Sequence, residues 1–207
     1  MTLPTELYES QVQRWPREGQ HILAHYDDST IIVYQAYRPS IGRLAVEQGR
    51  LGGPDFSFTR MSWIKPNFLW MMYRSGWGTK QGQEVTLGLR LRRSLFDRLL
   101  EQAVPSSFDP VKFTTRERWA NAVESSDVRL QWDPDHSPSG AKLTRRALQL
   151  GLGGSMLDEF ANTLVEVIDL SDFVTEQRAN AQNSGIANLR TPVERTYVPA
   201  TASQKTA

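Results

Sequence analysis

"IIVYQAYRPSIGRLAVEQG", residues 31–49, changes its period in the middle. The first seven positions are mostly β-branched or aromatic, the composition of a buried strand. From Pro39 onward Ile41, Leu44 and Ala45 recur at helical spacing. Proline suits a first helical turn, and Gly49 with "LGGP" behind it stops the run. A long strand feeding directly into a helix sets the expectation for the rest of the chain.

Read outward, that alternation continues. "FSF" at 56–58 reads as a short extended piece. A helix starting near Pro66 carries Phe68, Leu69, Trp70, Met71, Met72 and Tyr73, apolar on all sides and therefore mostly buried, and Gly76-Trp77-Gly78 ends it. "EVTLGLRL", 84–91, reads as a second long strand, and "SLFDRLLEQAV" as a helix capped by Ser94. Thr114 with Glu117 reads as a capping box for a helix through Trp119 and Val123. "DVRLQWD" alternates Val128, Leu130 and Trp132 as a strand does, and "PDHSPSG" is turn chemistry. Two helices, 140–150 and 155–163, a strand at "LVEVIDL" and a helix from Ser171 to about Gln177 complete the pattern. The division is an N-terminal extension at 1–30, a single α+β domain at 31–198 with a mixed central sheet flanked by helices, and a disordered tail at 199–207.

Composition bounds the function. The chain has 207 residues, 39% hydrophobic and 23% charged, ordinary for one globular domain. No window reaches the roughly 18 uncharged apolar residues of a membrane span, and "MTLPTELYES" lacks the order of a signal peptide, so the expectation is a cytoplasmic protein. With no cysteine, thiolate nucleophiles, disulfides and Cys-ligated zinc are excluded. The net charge of +1 hides a division: residues 38–98 carry eleven Lys/Arg against four Asp/Glu, or +7, leaving 13 − 19 = −6 elsewhere. A local basic block points to a phosphate-bearing ligand, while the plainer reading pairs each cation with an acid from elsewhere in the fold.

Several devices are absent: no G-x-x-x-x-G-K-[ST], no G-x-S-x-G, no H-E-x-x-H. "GWGTKQG" at 76–82 follows a helix and reads as a turn. Asp133, Asp135 and His136 offer metal-ligand chemistry in four residues, but Asp-Pro-Asp is also ordinary turn sequence, so no metal site is assigned. His21 and His25 read as solvent-exposed.

Polar groups gather at the ends of three apolar segments: Tyr37-Arg38, Ser57-Phe58-Thr59-Arg60 and Gln131-Trp132-Asp133. This order resembles the R-S-E pattern of ADP-ribosyltransferases, with Asp133 where that superfamily more often has glutamate. The resemblance implies an NAD-dependent enzyme that cleaves the nicotinamide glycosidic bond and passes ADP-ribose to an unknown acceptor, a nucleic acid among the candidates. Asp133 would stabilise the oxocarbenium-like ribose, as carboxylates do in glycosidases. Arg38 would grip the pyrophosphate, with Arg60 or Lys65 as a second contact. Trp63 or Tyr37 would stack on nicotinamide, Ser57 with Thr59 beside it would hold the ribose, and Gln131 would orient the acceptor. Against this stands ordinary structure: Asp133 opening a turn, Ser57 and Thr59 on an edge strand, and Trp63, Trp70 and Trp77 forming one seven-residue helix seam. Two further readings compete. One is a non-catalytic nucleotide or nucleic-acid-binding module that stacks bases on Trp63, Trp77 or Trp132. The other is a phosphate-ester enzyme using His136 with Arg145 and Arg146.

Longer stretches, "VYQAYRPSIGRLAVEQGRLGGPDFSFTRMSWIKPNFLWMMYRSGWGTKQGQEV", "QWDPDHSPSGAKLTRRALQLGL" and "LSDFVTEQR", resemble the bacterial and fungal family called domain of unknown function 4291, from about residue 31 to Tyr197. That resemblance implies no particular chemistry.

Overall fold

The strand expected at 31–37 runs from Thr30 to Tyr37 at the edge of a three-stranded antiparallel sheet, and an isolated bridge at Tyr34 joins it to a five-stranded mixed sheet, the two forming one curled surface. In the computed structural model, the described residues are 3–182 and 186–200. The order begins β1 (Thr5–Leu7), α1 (Tyr8–Val12), β2 (Gly19–Gln20), β3 (Leu23–Ala24), β4 (Thr30–Tyr37), α2 (Pro39–Gln48) and β5 (Ser62–Ile64). It continues with α3 (Phe68–Ser75), β6 (Val85–Arg92), α4 (Arg93–Gln102), β7 (Val104–Pro105), α5 (Arg116–Ser125), β8 (Val128–His136) and β9 (Lys142–Leu152). Last come α6 (Gly154–Asn162), β10 (Glu166–Asp169), α7 (Ser171–Gln182), β11 (Arg190–Pro192) and β12 (Arg195–Thr196). This is an α+β domain.

β4 pairs antiparallel with β6 along its whole length, and β10 flanks β6. β8 and β9 form a long antiparallel pair, with β7 parallel to β8 and with β5 and β2 on the other edge of β9. One backbone bridge joins the two halves: Tyr34 N donates to Lys65 O at 2.7 Å and Lys65 N to Tyr34 O at 3.2 Å. Side chains alternate across each strand, so this single curled surface separates two cores. Ile31 and Val33 of β4 join Ile64, Leu148, Leu150, Leu152, Phe96 and Phe160 on one face, under α2, α4 and α6. Ile32 and Tyr34 join Phe68, Met72, Trp15 and Leu189 on the other, under α3 and α7.

The stretch before residue 31, expected as an extension, contributes a strand to three different pairings and buries Tyr8 and Trp15. Gln11 fastens it. Its buried amide donates to Thr191 O, Thr191 Oγ1 and Pro192 O, and its carbonyl accepts from Glu194 N at 2.8 Å. Of the expected tail, residues 201–207 lie outside the described residues.

The expected helix at 140–150 is β9. Lys, Arg, Ala, Leu and Gln favour helix, but pairing with β8 and β5 overrides that weak preference. The alternation Leu148-Gln-Leu150-Gly-Leu152, with the leucines in the core, was the opposing signal. β8 likewise continues through the expected turn to His136, absorbing Pro134 at a register shift, and the turn falls at Ser137–Gly140. Ser94 caps nothing: Arg93 begins α4, and Arg92 occupies the cap. On α5 the cap is Thr115 instead of Thr114, its hydroxyl accepting from Arg118 N. The tryptophan seam dissolves as well, since Trp63 lies on β5, Trp70 on α3, and Trp77 beyond the helix in a left-handed conformation at φ 55°. Among the described residues no helix is long and apolar enough to cross a membrane.

Candidate functional site

The polar residues expected to form one site lie in two hollows on opposite faces of the sheet. Parity decides this. On β8, Val128, Leu130 and Trp132 turn toward the core under α2, α4 and α6, so Gln131 and Asp133 turn the other way. On β5, Ile64 sits in that same core, which sends Trp63 and Lys65 to the face carrying α3. Tyr37 packs against the first core, and with it Arg38, Ser57, Arg60 and Ser62 line a separate hollow of about 200 Å³.

The hollow on the α3 face measures about 290 Å³ and is lined by Trp63, Lys65, Trp70, Arg74, Gln131, Asp133 and Gln149. Its floor is cross-strand geometry. Gln131 and Gln149 are register partners on β8 and β9, and both amides turn to the same carboxylate. Gln131 Nε2 donates to Asp133 Oδ1 at 2.8 Å and Gln149 Nε2 to Asp133 Oδ2 at 2.7 Å. Asp133 is thus a fixed, doubly bonded carboxylate rather than the start of a turn, and the Gln131 amide expected to orient an acceptor is already engaged. Beside them Trp63 opposes Gly151 on β9. A Cβ at Gly151 would stand 2.6 Å from Met61 Sδ and 3.0 Å from Trp63 Cε2, so only glycine lets the indole lie this close to the strand.

Lys65 follows Trp63. Its backbone is clamped to Tyr34, it is 5% exposed, and among the described residues its ammonium has one hydrogen-bond partner, Trp63 O at 3.2 Å. Burial first, then the Arg74 charge, pulls its pKa down to about 7, against a smaller upward pull from Asp133. Arg74 comes from the last turn of α3, which Asn67 starts: its side chain accepts from Trp70 N at 2.7 Å, and Gly76 at φ 58° closes the helix. Arg74 is exposed, and among the described residues it makes no hydrogen bond or ion pair. Two other cations of the basic block do meet acids, Arg90 bonded to Glu166 at 2.9 Å and Arg98 to Glu159.

The second hollow holds Arg38 and Arg60, exposed, with Asp55 beside them. Ser57 and Thr59 face each other at 3.1 Å, both exposed. Tyr37 closes a ring instead of presenting an aromatic face: its hydroxyl donates to Gln35 Oε1 at 2.8 Å, Gln35 Nε2 donates to Ser62 Oγ at 2.7 Å, and Ser62 returns its proton to Tyr37. The hollows share no lining residue. Asp133, Gln131, Trp63 and Lys65 are brought together; Arg38, Tyr37, Ser57, Thr59 and Arg60 are not part of that group.

The other candidates are used structurally. Arg145 Nε donates to Asp135 Oδ2 at 2.8 Å in a buried pair, and Arg146 donates to Trp132 O. His136 is buried against the parallel rings of Trp70 and Tyr73, and among the described residues neither ring nitrogen has a partner in good hydrogen-bond geometry. Burial holds its pKa below the usual histidine range. His25 contacts Val193 O at 2.8 Å. Among the described residues no group of three or more His, Asp or Glu has the geometry of a metal site. Sequence reasoning missed Arg74, Gln149 and Trp70. Gln149 was hidden by the helical reading of β9, and only the α3 crossing brings Arg74 over Lys65.

The family model described as a domain of unknown function, DUF4291, matches residues 21–197. This chain belongs to the DUF4291 family. The matched span of this DUF4291 protein contains every residue of both hollows, and it starts at His21, ahead of the long strand β4. No curated protein matches the chain.

Proposed function

We propose that this protein binds a phosphate-bearing nucleotide in the hollow beneath α3. The observation that carries the reading is the charge balance there: Lys65 and Arg74 have no acid paired to them among the described residues, while the one lining carboxylate, Asp133, is already held by two amides. An anion completes such a site, since two neighbouring cations repel until one arrives. Arg74 at the rim takes the phosphate, and Lys65 lies deeper, beside the sugar. Trp63 is half-buried and offers an indole surface for a base, and the acceptor oxygen of Gln149 meets a polar edge, while that of Gln131 already accepts from Ser106 Oγ at 3.4 Å. The volume suits a mononucleotide or one half of a dinucleotide.

NAD cleavage with transfer of ADP-ribose is the catalytic form of this reading. It keeps Asp133 against the ribose and Trp63 against nicotinamide, and puts Arg74 in place of Lys65 as the phosphate contact. It gives up Arg38, Tyr37, Ser57, Thr59 and Arg60, and its acceptor, a nucleic acid included, stays open. We assign the activity to the cytoplasm, where nucleotides are abundant.

The test is tryptophan fluorescence during titration with AMP, ADP and NAD, with nicotinamide release followed in parallel. Saturable quenching that weakens about tenfold or more in Arg74→Ala supports the site. Quenching without nicotinamide release leaves binding and removes transfer. No quenching by any of the three at millimolar concentration removes both.

A further inference from the structure

We propose that Lys65 is an amine nucleophile that forms an imine with the aldehyde carbon of a phosphorylated sugar held in the hollow beneath α3. The proposal rests on the nucleotide-site reading for the phosphate contact at Arg74, and on Lys65 itself for the chemistry.

Three observations make this lysine different from the others. Its main chain is fixed at both ends of the peptide by the Tyr34 bridge, and its Nζ is moored to Trp63 O, so the amine is held in one place on a hollow wall. It is almost wholly buried and no carboxylate pairs with it among the described residues, while Arg74 adds a second positive charge nearby. Both conditions favour the free amine, the form with a lone pair to donate; desolvation and a neighbouring cation are the two established ways to activate a lysine. The remaining described lysines, Lys80, Lys112 and Lys142, are exposed. At pH 7 an amine titrating at about 7 is half free, about a thousandfold above the free fraction of an ordinary lysine.

The neighbours suit the steps. The Nζ lone pair attacks the carbonyl carbon, a C–N bond forms, and the C=O π pair moves to oxygen, which takes a proton. Nζ gives up a proton to water, giving a neutral carbinolamine. Protonation of its hydroxyl then lets water leave, and the nitrogen lone pair closes the C=N bond as a protonated imine. Asp133 is the one carboxylate lining the hollow and can relay these protons. Arg74, at the rim, holds the phosphate and so sets which sugar reaches the amine.

The experiment uses the full chain, ribose 5-phosphate as the probe, borohydride to reduce the imine to a stable amine, and peptide mass mapping. One adduct per chain on the peptide carrying Lys65 is expected. Its yield should exceed that on Lys80, Lys112 or Lys142 at least tenfold at pH 7, and ADP should suppress it. Lys65→Arg keeps the charge and should abolish the adduct, though mapping of the unaltered protein alone decides the question. Even labelling of all lysines overturns the proposal. Absence of the Lys65 adduct while ADP still quenches fluorescence overturns it and leaves the nucleotide reading intact, whereas failure of both overturns both. Equal labelling of Lys65 by unphosphorylated ribose overturns the phosphate-bearing substrate class.

Discussion

The two faces of the curled sheet are built from different chemistry. Under α2, α4 and α6 the core is almost entirely aliphatic and aromatic, with leucines from β6, β9 and α4 interlocked around Phe96 and Phe160. Under α3 the core is threaded with polar groups. Glu194 is 3% exposed; its carboxylate accepts from Phe68 N at 2.8 Å and from Asn67 Nδ2 at 3.1 Å, and burial raises its pKa well above the usual carboxylate range. Gln11, Asn67, Asp135 and Arg145 are buried there too. Each such group costs free energy unless it is satisfied, so the second face gives up stability that the first does not. The hollow opens on that costlier face. Fixed dipoles and charges already removed from water can hold a ligand without further reorganisation, which an aliphatic core cannot do.

The contrast is sharpest at the two ion pairs. Arg145→Ala strands the Asp135 carboxylate under the second face and should cost about 3–5 kcal/mol in urea unfolding. Arg98→Ala removes an exposed pair on the first face and should cost less than about 1 kcal/mol. Equal losses would break the comparison.

Next in size is a pH effect. Lys65 binds its proton more weakly folded than unfolded, so between about pH 7 and its unfolded value the unfolded chain holds the extra proton. Stability is therefore lowest, on this account, below pH 7 and rises as the pH climbs toward 10.5. Lys65→Met should flatten that rise. An unchanged slope would show that Lys65 is as hydrated as a surface lysine.

Ligand binding separates the two hollows. Arg74→Ala should weaken ADP about tenfold or more, and Arg38→Ala less than twofold, because Arg38 lines the opposite face. If Arg38→Ala weakened ADP as much as Arg74→Ala, the ligand would have to span both faces. Gly151→Ala forces Met61 and Trp63 away from β9 and should disturb the fluorescence response to ADP, and because Met61 also lines the Arg38 hollow, that hollow is expected to shift with it.

Much of the local structure was legible. Pro39 and Gly49 bound α2 as expected, and the β-branched run to Tyr37 is a strand. The uniformly apolar stretch from Phe68 to Met72 is buried, although Tyr73 and Arg74, one turn further on, reach solvent. The reading failed at Lys142–Leu152, where helix-favouring residues concealed an alternating pattern that only a partner strand turns to account. That error carried into the site, because a helix at 140–150 removes Gln149 from Asp133.

By itself the sequence determined that a block of cations and tryptophans lacks matching acids, and that Gln131 and Asp133 share one side of a strand, since composition and period two are properties of the chain. Which cations meet which acid was decided only by the tertiary structure. The side on which Arg38 or Lys65 emerges depends on strand pairing and parity, and the Tyr34–Lys65 bridge joining distant segments fixes both.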